Sequence, residues 1–140
     1  AQYYSGKLDK IDISNLSLAK YRLLLVEDNP LNQHVATAIL ETKQGVVDIA
    51  NNGLEAIKML SDKRYDLVLM DIQMPQMDGL KATKVIRNEL GFLDLPIIGL
   101  SANAHEEDAK KAINVGMDNY ITKPIDADAL FKMIWFYLSR

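Results

Sequence analysis

The sequence predicts an α/β fold in which a doubly wound parallel sheet carries helices on both of its faces. Two observations lead to this prediction. Short apolar runs recur along the chain, and stretches with the spacing of amphipathic helices separate them. The runs are continuous rather than alternating, which is typical of strands buried on both faces of a parallel sheet. Strands and helices that alternate in this way join through right-handed crossovers.

Each predicted element carries a local signal. Asn29 and Pro30 break the first apolar run, Gly91 ends the third helix, and Asp126 is placed to cap the last helix. Acidic residues at 106–108 lie in the first turn of the fourth helix, where the helix dipole favours negative charge. In order, the elements are a strand at 23–26, a helix between Pro30 and Gly45, a strand at 46–49, a helix at 54–60, a strand at 67–70, a helix at 79–90, a strand at 96–100, a helix at 104–115, a strand at 119–121 and a helix at 127–138.

Length and composition fit one globular domain. The chain has 140 residues, of which 49% are hydrophobic and 25% are charged. Its formal net charge is −3 and no basic stripe is visible, so a nucleic-acid surface is not expected. Cysteine is absent, which excludes disulfides and thiolate metal sites and suits a reducing cytosol. No apolar run approaches the roughly 18 residues of a membrane span and no signal peptide is visible, so we expect a cytoplasmic location without membrane contact.

Residues 1–20 differ from the rest of the chain. They are polar, with serine and glycine early and isolated isoleucines and leucines later. We therefore expect a linker or an appended segment at 1–20 and a single domain at 21–140. The apolar side chains of the segment could still dock on a folded surface; they are Ile11, Ile13, Leu16 and Leu18.

Polar residues follow four of the five predicted strands, and Ala50 after the second strand offers nothing comparable. In parallel sheets of this kind, ligands bind at the carboxyl ends of the strands, so these residues are expected to meet at one edge. They are Glu27 and Asp28 after the first strand, Asp71 after the third, Ser101 after the fourth and Lys123 after the fifth.

This set of residues predicts a site for phosphoryl transfer. Carboxylates that lie about 4 Å apart repel by roughly 4 kcal/mol at an effective dielectric near 20, so the cluster must protonate or bind a cation. Its ligands are hard oxygens without histidine or cysteine, which selects Mg²⁺ over zinc. Lys123 adds a positive charge suited to phosphate, and Ser101 adds a hydroxyl. A carboxylate nucleophile, a metal and a lysine together suit phosphoryl transfer.

Four segments that contain these residues carry a specific likeness to a known family. The segments are 24–29 (Leu-Leu-Val-Glu-Asp-Asn), 71–79 (Asp-Ile-Gln-Met-Pro-Gln-Met-Asp-Gly), 96–102 (Pro-Ile-Ile-Gly-Leu-Ser-Ala) and 118–124 (Asp-Asn-Tyr-Ile-Thr-Lys-Pro). They resemble the receiver domains of two-component signalling, and the likeness extends from residue 21 to about 138. It implies a flavodoxin-like (βα)5 sheet in the order 2-1-3-4-5.

The resemblance implies a role for each carboxylate. Asp71 is expected to be the phosphorylated aspartate, and it would take the phosphoryl group from a phosphohistidine. Asp28 and Asp71 would be direct Mg²⁺ ligands, together with the carbonyl oxygen of Gln73. Glu27 would be an outer partner that holds metal-bound water.

The resemblance also implies a catalytic lysine and a conformational switch. Lys123 would contact the phosphoryl oxygens, and its bond to Pro124 is expected to be cis. Ser101 would act as the switch hydroxyl, and Tyr120 as the aromatic side chain that turns inward with it. The residues at Gln73 and Asn103 would set the rate of hydrolysis, so the domain is expected to catalyse its own phosphorylation and slow dephosphorylation without rapid turnover.

The resemblance further implies partners and a wider setting. The partners would be a histidine kinase or a histidine-phosphotransfer protein, and the fourth helix, fifth strand and last helix would offer a surface for dimer formation or domain docking. Residues 26–33 and 70–75 are most similar to receivers of hybrid sensor histidine kinases. Residues 1–20 would then link the receiver to a kinase core on the cytoplasmic side of the inner membrane. A stand-alone single-domain response regulator would look much the same.

Three other functions were weighed against this one. A haloacid-dehalogenase-type phosphatase carries Asp-x-Asp after its first strand, whereas here the nucleophile follows the third strand and Gln73 stands two residues on. A flavodoxin-like cofactor binder needs a phosphate loop after the first strand, where Glu27 and Asp28 would repel phosphate. A degenerate receiver that acts only as an interaction module remains open, although every chemical position is filled.

Overall fold

The computed structural model describes residues 6–74, 77–102 and 106–140 of the chain. The predicted start of the fourth helix at Ala104, and Asn103 before it, lie outside these ranges. Within them the strands are β1 (Arg22–Val26), β2 (Val46–Ala50), β3 (Leu67–Asp71), β4 (Ile97–Ser101) and β5 (Asn119–Thr122). The helices are α1 (Gly6–Asp9), α2 (Pro30–Glu41), α3 (Gly53–Asp62), α4 (Gly79–Asn88), α5 (Glu106–Asn114) and α6 (Ala127–Leu138).

The five strands form one parallel sheet in the order β2-β1-β3-β4-β5. Val26 lies opposite Met70, and Ser101 lies opposite Thr122, so the carboxyl ends of the strands reach the same edge. This arrangement confirms the predicted flavodoxin-like, doubly wound class. The switch in strand order falls between β1 and β3, which is where this type of sheet places its ligands.

Two apolar clusters hold the helices to the two faces of the sheet. Leu23 and Leu25 of β1 point into the cluster shared with α2 and α6. Leu24 and Val26, the alternate residues of the same strand, point into the cluster shared with α3 and α4. Side chains of a strand alternate between faces, so a continuous apolar run serves both clusters. All four of these residues are fully buried.

The helix boundaries agree with the local signals, with small differences. Asp126 caps α6, as predicted. Asn29, which was expected only to break the first apolar run, caps α2 by accepting hydrogen bonds from two backbone N–H groups. The helix expected to stop at Gly45 already ends at Glu41. The fourth strand begins one residue later than expected and includes Ser101 as its last residue.

Residues 8–21 pack against the domain instead of forming a free linker. Leu8 is 2% exposed and Leu18 is fully buried, and both belong to the cluster under α2 and α6. Ile11, Ile13 and Leu16 pack against the same cluster. The apolar side chains of this segment thus dock on the folded surface, and the assignment of residues 1–20 as a linker or an appended segment stays a prediction.

Arg87 forms a buried polar hub at the amino-terminal edge of the sheet. This guanidinium donates to the carbonyl oxygens of Gly116, Phe92 and Leu95 at 2.9, 2.6 and 2.7 Å. It also pairs with Asp118 at 3.0 Å, and the same carboxylate oxygen accepts a hydrogen bond from the N–H of Ile97. The hub therefore ties the segment after α4 to the turn that follows α5.

None of the helices in the described ranges combines the length and the apolar character that crossing a bilayer requires.

Candidate functional site

The acidic site forms where β1 and β3 end side by side. Glu27 directly follows β1, and its N–H donates to the carbonyl of Ala50 at 3.0 Å, which continues the sheet pairing by one residue. Asp71 is the last residue of β3 and lies opposite Leu100 of β4. Glu27 and Asp71 are 2% and 4% exposed, so the sheet presents two nearly buried carboxylates at its carboxyl edge.

Asp28 completes a group of three carboxylates. One carboxylate oxygen each from Glu27, Asp28 and Asp71 lies within 4.8 Å of the other two. Asp28 is more accessible than the other two acids. The donor set consists of hard anionic oxygens with an open side, so it fits a magnesium-sized divalent cation that keeps some of its water.

Lys123 reaches the cluster from the turn after β5. Its backbone N–H donates to the carbonyl of Ser101 at 2.7 Å, and the bond to Pro124 is cis, as expected. The ammonium lies 2.9 Å from Glu27 Oε1 and 3.4 Å from Asp71 Oδ2. The sheet therefore brings together the acidic pair, the aspartate and the lysine that the sequence predicted at the strand ends.

The pKa values of the two buried acids, Glu27 and Asp71, shift in opposite directions. Burial, together with the negative charge of Glu27, raises the pKa of Asp71 to about 6. Burial also disfavours the Glu27 carboxylate, but its hydrogen bonds with Lys123 and the Asn29 N–H outweigh this effect and lower its pKa. For Lys123, burial is likewise outweighed by the two acids, and its pKa rises. Lys123 thus neutralises Glu27 first, and Asp71 retains the uncompensated charge.

The loop after β3 holds Asp71 by its backbone. The N–H of Gln73 donates to Asp71 Oδ1 at 3.1 Å, so the residue expected to offer a carbonyl ligand lies directly beside the carboxylate. Gly79 opens α4, with Asp78 as its cap. A Cβ at Gly79 would overlap the carbonyl oxygen of Asp71, so only glycine permits this close approach.

Ser101 and Tyr120 occupy neighbouring strands next to the acidic cluster. Each is 1% exposed. Tyr120 lies opposite Gly99 in the β4–β5 register, two residues before the position of Ser101. The unphosphorylated chain thus already buries Tyr120, and its predicted movement with Ser101 stays a prediction.

Two residues that the sequence reasoning did not single out organise the backbone of Glu27. The side-chain amide of Gln33 donates to the Glu27 carbonyl at 2.6 Å and to Asn51 Oδ1 at 2.8 Å. Asn51 follows β2, the strand that was expected to contribute nothing. The position of Asn51 directly after a strand could have pointed to this residue in the sequence, whereas its contact with Gln33 depends on how α2 packs.

Comparison with known proteins identifies the family of this domain. Residues 23–135 match the family model of the response regulator receiver domain, so the chain belongs to that family. It is 35% identical over 147 residues to hybrid signal transduction histidine kinase B of Dictyostelium discoideum, and that match covers 96% of this chain and 8% of the relative. The chain spans only 8–17% of the length of the curated relatives it matches first.

Two solved receiver structures are similar in both fold and sequence. The first is the receiver domain of a sensor histidine kinase from Pseudomonas aeruginosa, with a magnesium ion coordinated in its active-site cleft. It has a TM-score of 0.80 and 35% identity, and the match covers 86% of this chain and 98% of that one. The second is the receiver of a Saccharomyces cerevisiae response regulator, crystallised with its histidine phosphotransfer protein. It has a TM-score of 0.80 and 30% identity, with 87% and 91% of the two chains covered.

Proposed function

We propose that this receiver accepts a phosphoryl group from a phosphohistidine onto Asp71, with Mg²⁺ bound beside it, within a two-component phosphorelay. The observation that carries the proposal is the position of Asp71. Its carboxylate is nearly buried at the end of β3, and it lies 3.4 Å from a lysine and within 4.8 Å of two further acids. A nearly buried carboxylate with a raised pKa beside a charged partner is typical of functional sites.

In the proposed step, one carboxylate oxygen of Asp71 forms a bond to phosphorus while the phosphorus–nitrogen bond of the phosphohistidine breaks. The departing imidazole nitrogen keeps the electron pair of that bond. Lys123 stabilises the charge on the phosphoryl oxygens, because its ammonium is already placed beside Asp71. The N–H of Gln73 holds the other carboxylate oxygen in place.

Asp28, Asp71 and the carbonyl of Gln73 would hold the Mg²⁺ ion. Glu27 is better suited to an outer role, because one of its oxygens already pairs with Lys123 and the other accepts the N–H of Asn29 at 3.1 Å. Bound Mg²⁺ would supply positive charge that neutralises the cluster and the transferred phosphoryl group. Ser101 would donate its hydroxyl to that group, and Tyr120 would adjust its packing in response.

The donor of the phosphoryl group would be a histidine kinase or a histidine-phosphotransfer protein. Next to the acidic site, Leu31 and Val35 of α2 are 69% and 44% exposed. They line an open groove together with Lys123 and Pro124. Exposed apolar side chains at the rim of a charged site suit docking of a protein that must bring its histidine close to Asp71. A second surface, for dimer formation or domain docking, would consist of α5, β5 and α6.

The setting that we propose is the receiver of a hybrid sensor histidine kinase, on the cytoplasmic side of the inner membrane. Support comes from the sequence likeness and from the relative that is a hybrid signal transduction histidine kinase, of which the match covers only 8%. A stand-alone response regulator is the alternative. In either setting the domain catalyses its own phosphorylation and slow dephosphorylation, and histidine-kinase activity would belong to a larger parent protein.

Intact-mass measurement after incubation with acetyl phosphate and Mg²⁺ tests the proposal. We expect the mass to rise by one phosphoryl group in the wild type and in Asp94→Asn, an exposed loop residue at the opposite edge, but not in Asp71→Asn. A mass gain that persists in Asp71→Asn would refute the assignment of the acceptor. No gain in any protein would favour a degenerate interaction module. Steady turnover of a phosphate ester at about 1 s⁻¹ or faster would instead favour a phosphatase.

A further inference from the structure

The segment before β1 is built into the apolar core, and we name residues 8–21 the N-terminal strap. Leu8 and Leu18 are 2% and 0% exposed and share a cluster with Leu130 and Ile134 of α6. The family match begins only at residue 23, so the strap lies outside the part that defines the family. A composition of polar residues with scattered aliphatics suggested a linker, yet flexible linkers do not bury leucines completely.

Polar and aromatic contacts hold the strap at two helices. At the end of α2, the N–H of Leu18 donates to the Lys43 carbonyl at 2.7 Å, and Lys43 Nζ donates to the Ile13 carbonyl at 3.1 Å. These two bonds join the strap reciprocally to Lys43, in the turn after α2. At α6, the rings of Tyr21 and Trp135 meet edge to face with centroids 6.3 Å apart, and α1 lies against the same helix.

We propose that the strap is a fixed structural element of this receiver, which fixes where the preceding chain leaves the domain, beside α6. This helix begins at Ala127, shortly after Lys123, so the exit point lies beside the helix that follows this lysine. If the receiver belongs to a hybrid kinase, as proposed above, the preceding module is held next to α6 rather than on a free tether. The strap itself does not depend on that setting. Its contacts also cover part of the Trp135 side of α6.

Distances between spin labels test the strap directly, because the chain contains no cysteine. The test pair is Asn15→Cys with Ala38→Cys, which joins the exposed part of the strap to the exposed face of α2. The control pair is Ala38→Cys with Asp128→Cys, which joins α2 to α6 within the domain. We expect the two distance distributions to be equally narrow. A broad distribution for the strap pair alone would overturn the proposal, whatever the outcome of phosphorylation at Asp71.

A matched pair of truncations gives a second, independent measurement. Leu18→Ala removes a fully buried side chain of the strap, whereas Leu93→Ala removes one that is 71% exposed in the loop after α4. We expect Leu18→Ala to lower the melting temperature by about 10 °C and Leu93→Ala to change it by less than about 2 °C. Equal melting temperatures for the two variants would show that the strap contributes no packing. If Leu18→Ala does not fold, the label distances in the otherwise unchanged chain decide the question.

Discussion

Replacing Asp71 with asparagine should stabilise the metal-free protein at neutral pH. Asp71 carries the uncompensated negative charge of the cluster, because Lys123 is engaged mainly by Glu27. Asparagine removes this charge and has nearly the same shape. Its carbonyl oxygen can still accept the N–H of Gln73, and its amide can donate to Glu27. The substitution thus removes the repulsion between Asp71 and Glu27, adds a hydrogen bond to Glu27 and leaves no cavity.

The size and pH dependence of the effect follow from the pKa of Asp71. Its rise from 3.8 to about 6 corresponds to roughly 3 kcal/mol. Solvent at the open side of the cluster screens part of this, so we expect a gain of about 1–2 kcal/mol. Well below the unfolded-state value of 3.8 the carboxyl is protonated in the folded and unfolded states alike, and the two proteins should be equally stable. Between about pH 4 and 6 the unfolded chain loses the Asp71 proton while the folded wild type keeps it, so the stability of the wild type falls relative to Asp71→Asn. The difference levels off above about pH 6, where the carboxyl is ionised in both states.

Urea denaturation in the presence of a chelator, at about pH 4, 5, 6 and 7.5, measures this difference. Asp94→Asn serves as the control and should not stabilise the protein at neutral pH. Adding Mg²⁺ should reduce or reverse the advantage of Asp71→Asn, because the wild type alone has the complete set of ligands. The reasoning is refuted if the difference does not change with pH, or if Asp71→Asn is the less stable protein at neutral pH without metal.

Three further predictions concern other parts of the molecule. Mg²⁺ should raise the melting temperature of the wild type by mass action, and the stabilisation should be about 2.7 kcal/mol when the Mg²⁺ concentration is a hundred times the Kd for Mg²⁺. Asp28→Ala should lose this response, and a full response in the variant would exclude Asp28 as a ligand. Arg87→Met should lower the free energy of unfolding by about 3–5 kcal/mol, because it removes a buried guanidinium and leaves the half-buried carboxylate of Asp118 and three carbonyl oxygens without this donor. Lys84→Met, an exposed change on the same helix, should cost under about 1 kcal/mol in urea denaturation, and equal losses would contradict the hub. Ser101→Ala should still gain the mass of one phosphoryl group. The changes in amide NMR shift that beryllofluoride, a mimic of the phosphoryl group, causes in residues 106–120 should be smaller in this variant than in the wild type. Equal changes in both proteins would rule out the Ser101 switch.

The alternating pattern of the chain was enough to predict the sheet, because parallel strands buried on both faces must be continuously apolar. The cap of α6 was also predictable, since a cap acts on a backbone group two or three residues away, as Asp126 does. Boundaries shifted where tertiary contacts intervene: α2 stops at Glu41 and not at Gly45. The scattered aliphatic residues of the strap have no period, so the sequence predicts a linker there, and only the packed structure shows which surface they cover.

The sequence by itself determined the class of the sheet and which side chains reach its carboxyl edge, because strand ends and side-chain alternation follow from local spacing. The tertiary structure alone decided how those side chains pair. Lys123 and Glu27 are far apart in the chain yet 2.9 Å apart in space, and this contact leaves Asp71 with the raised pKa. The same holds for Gly79, which opens a helix in the sequence but is required by the backbone of Asp71. Such contacts depend on how separate elements pack, and no spacing within one element encodes them.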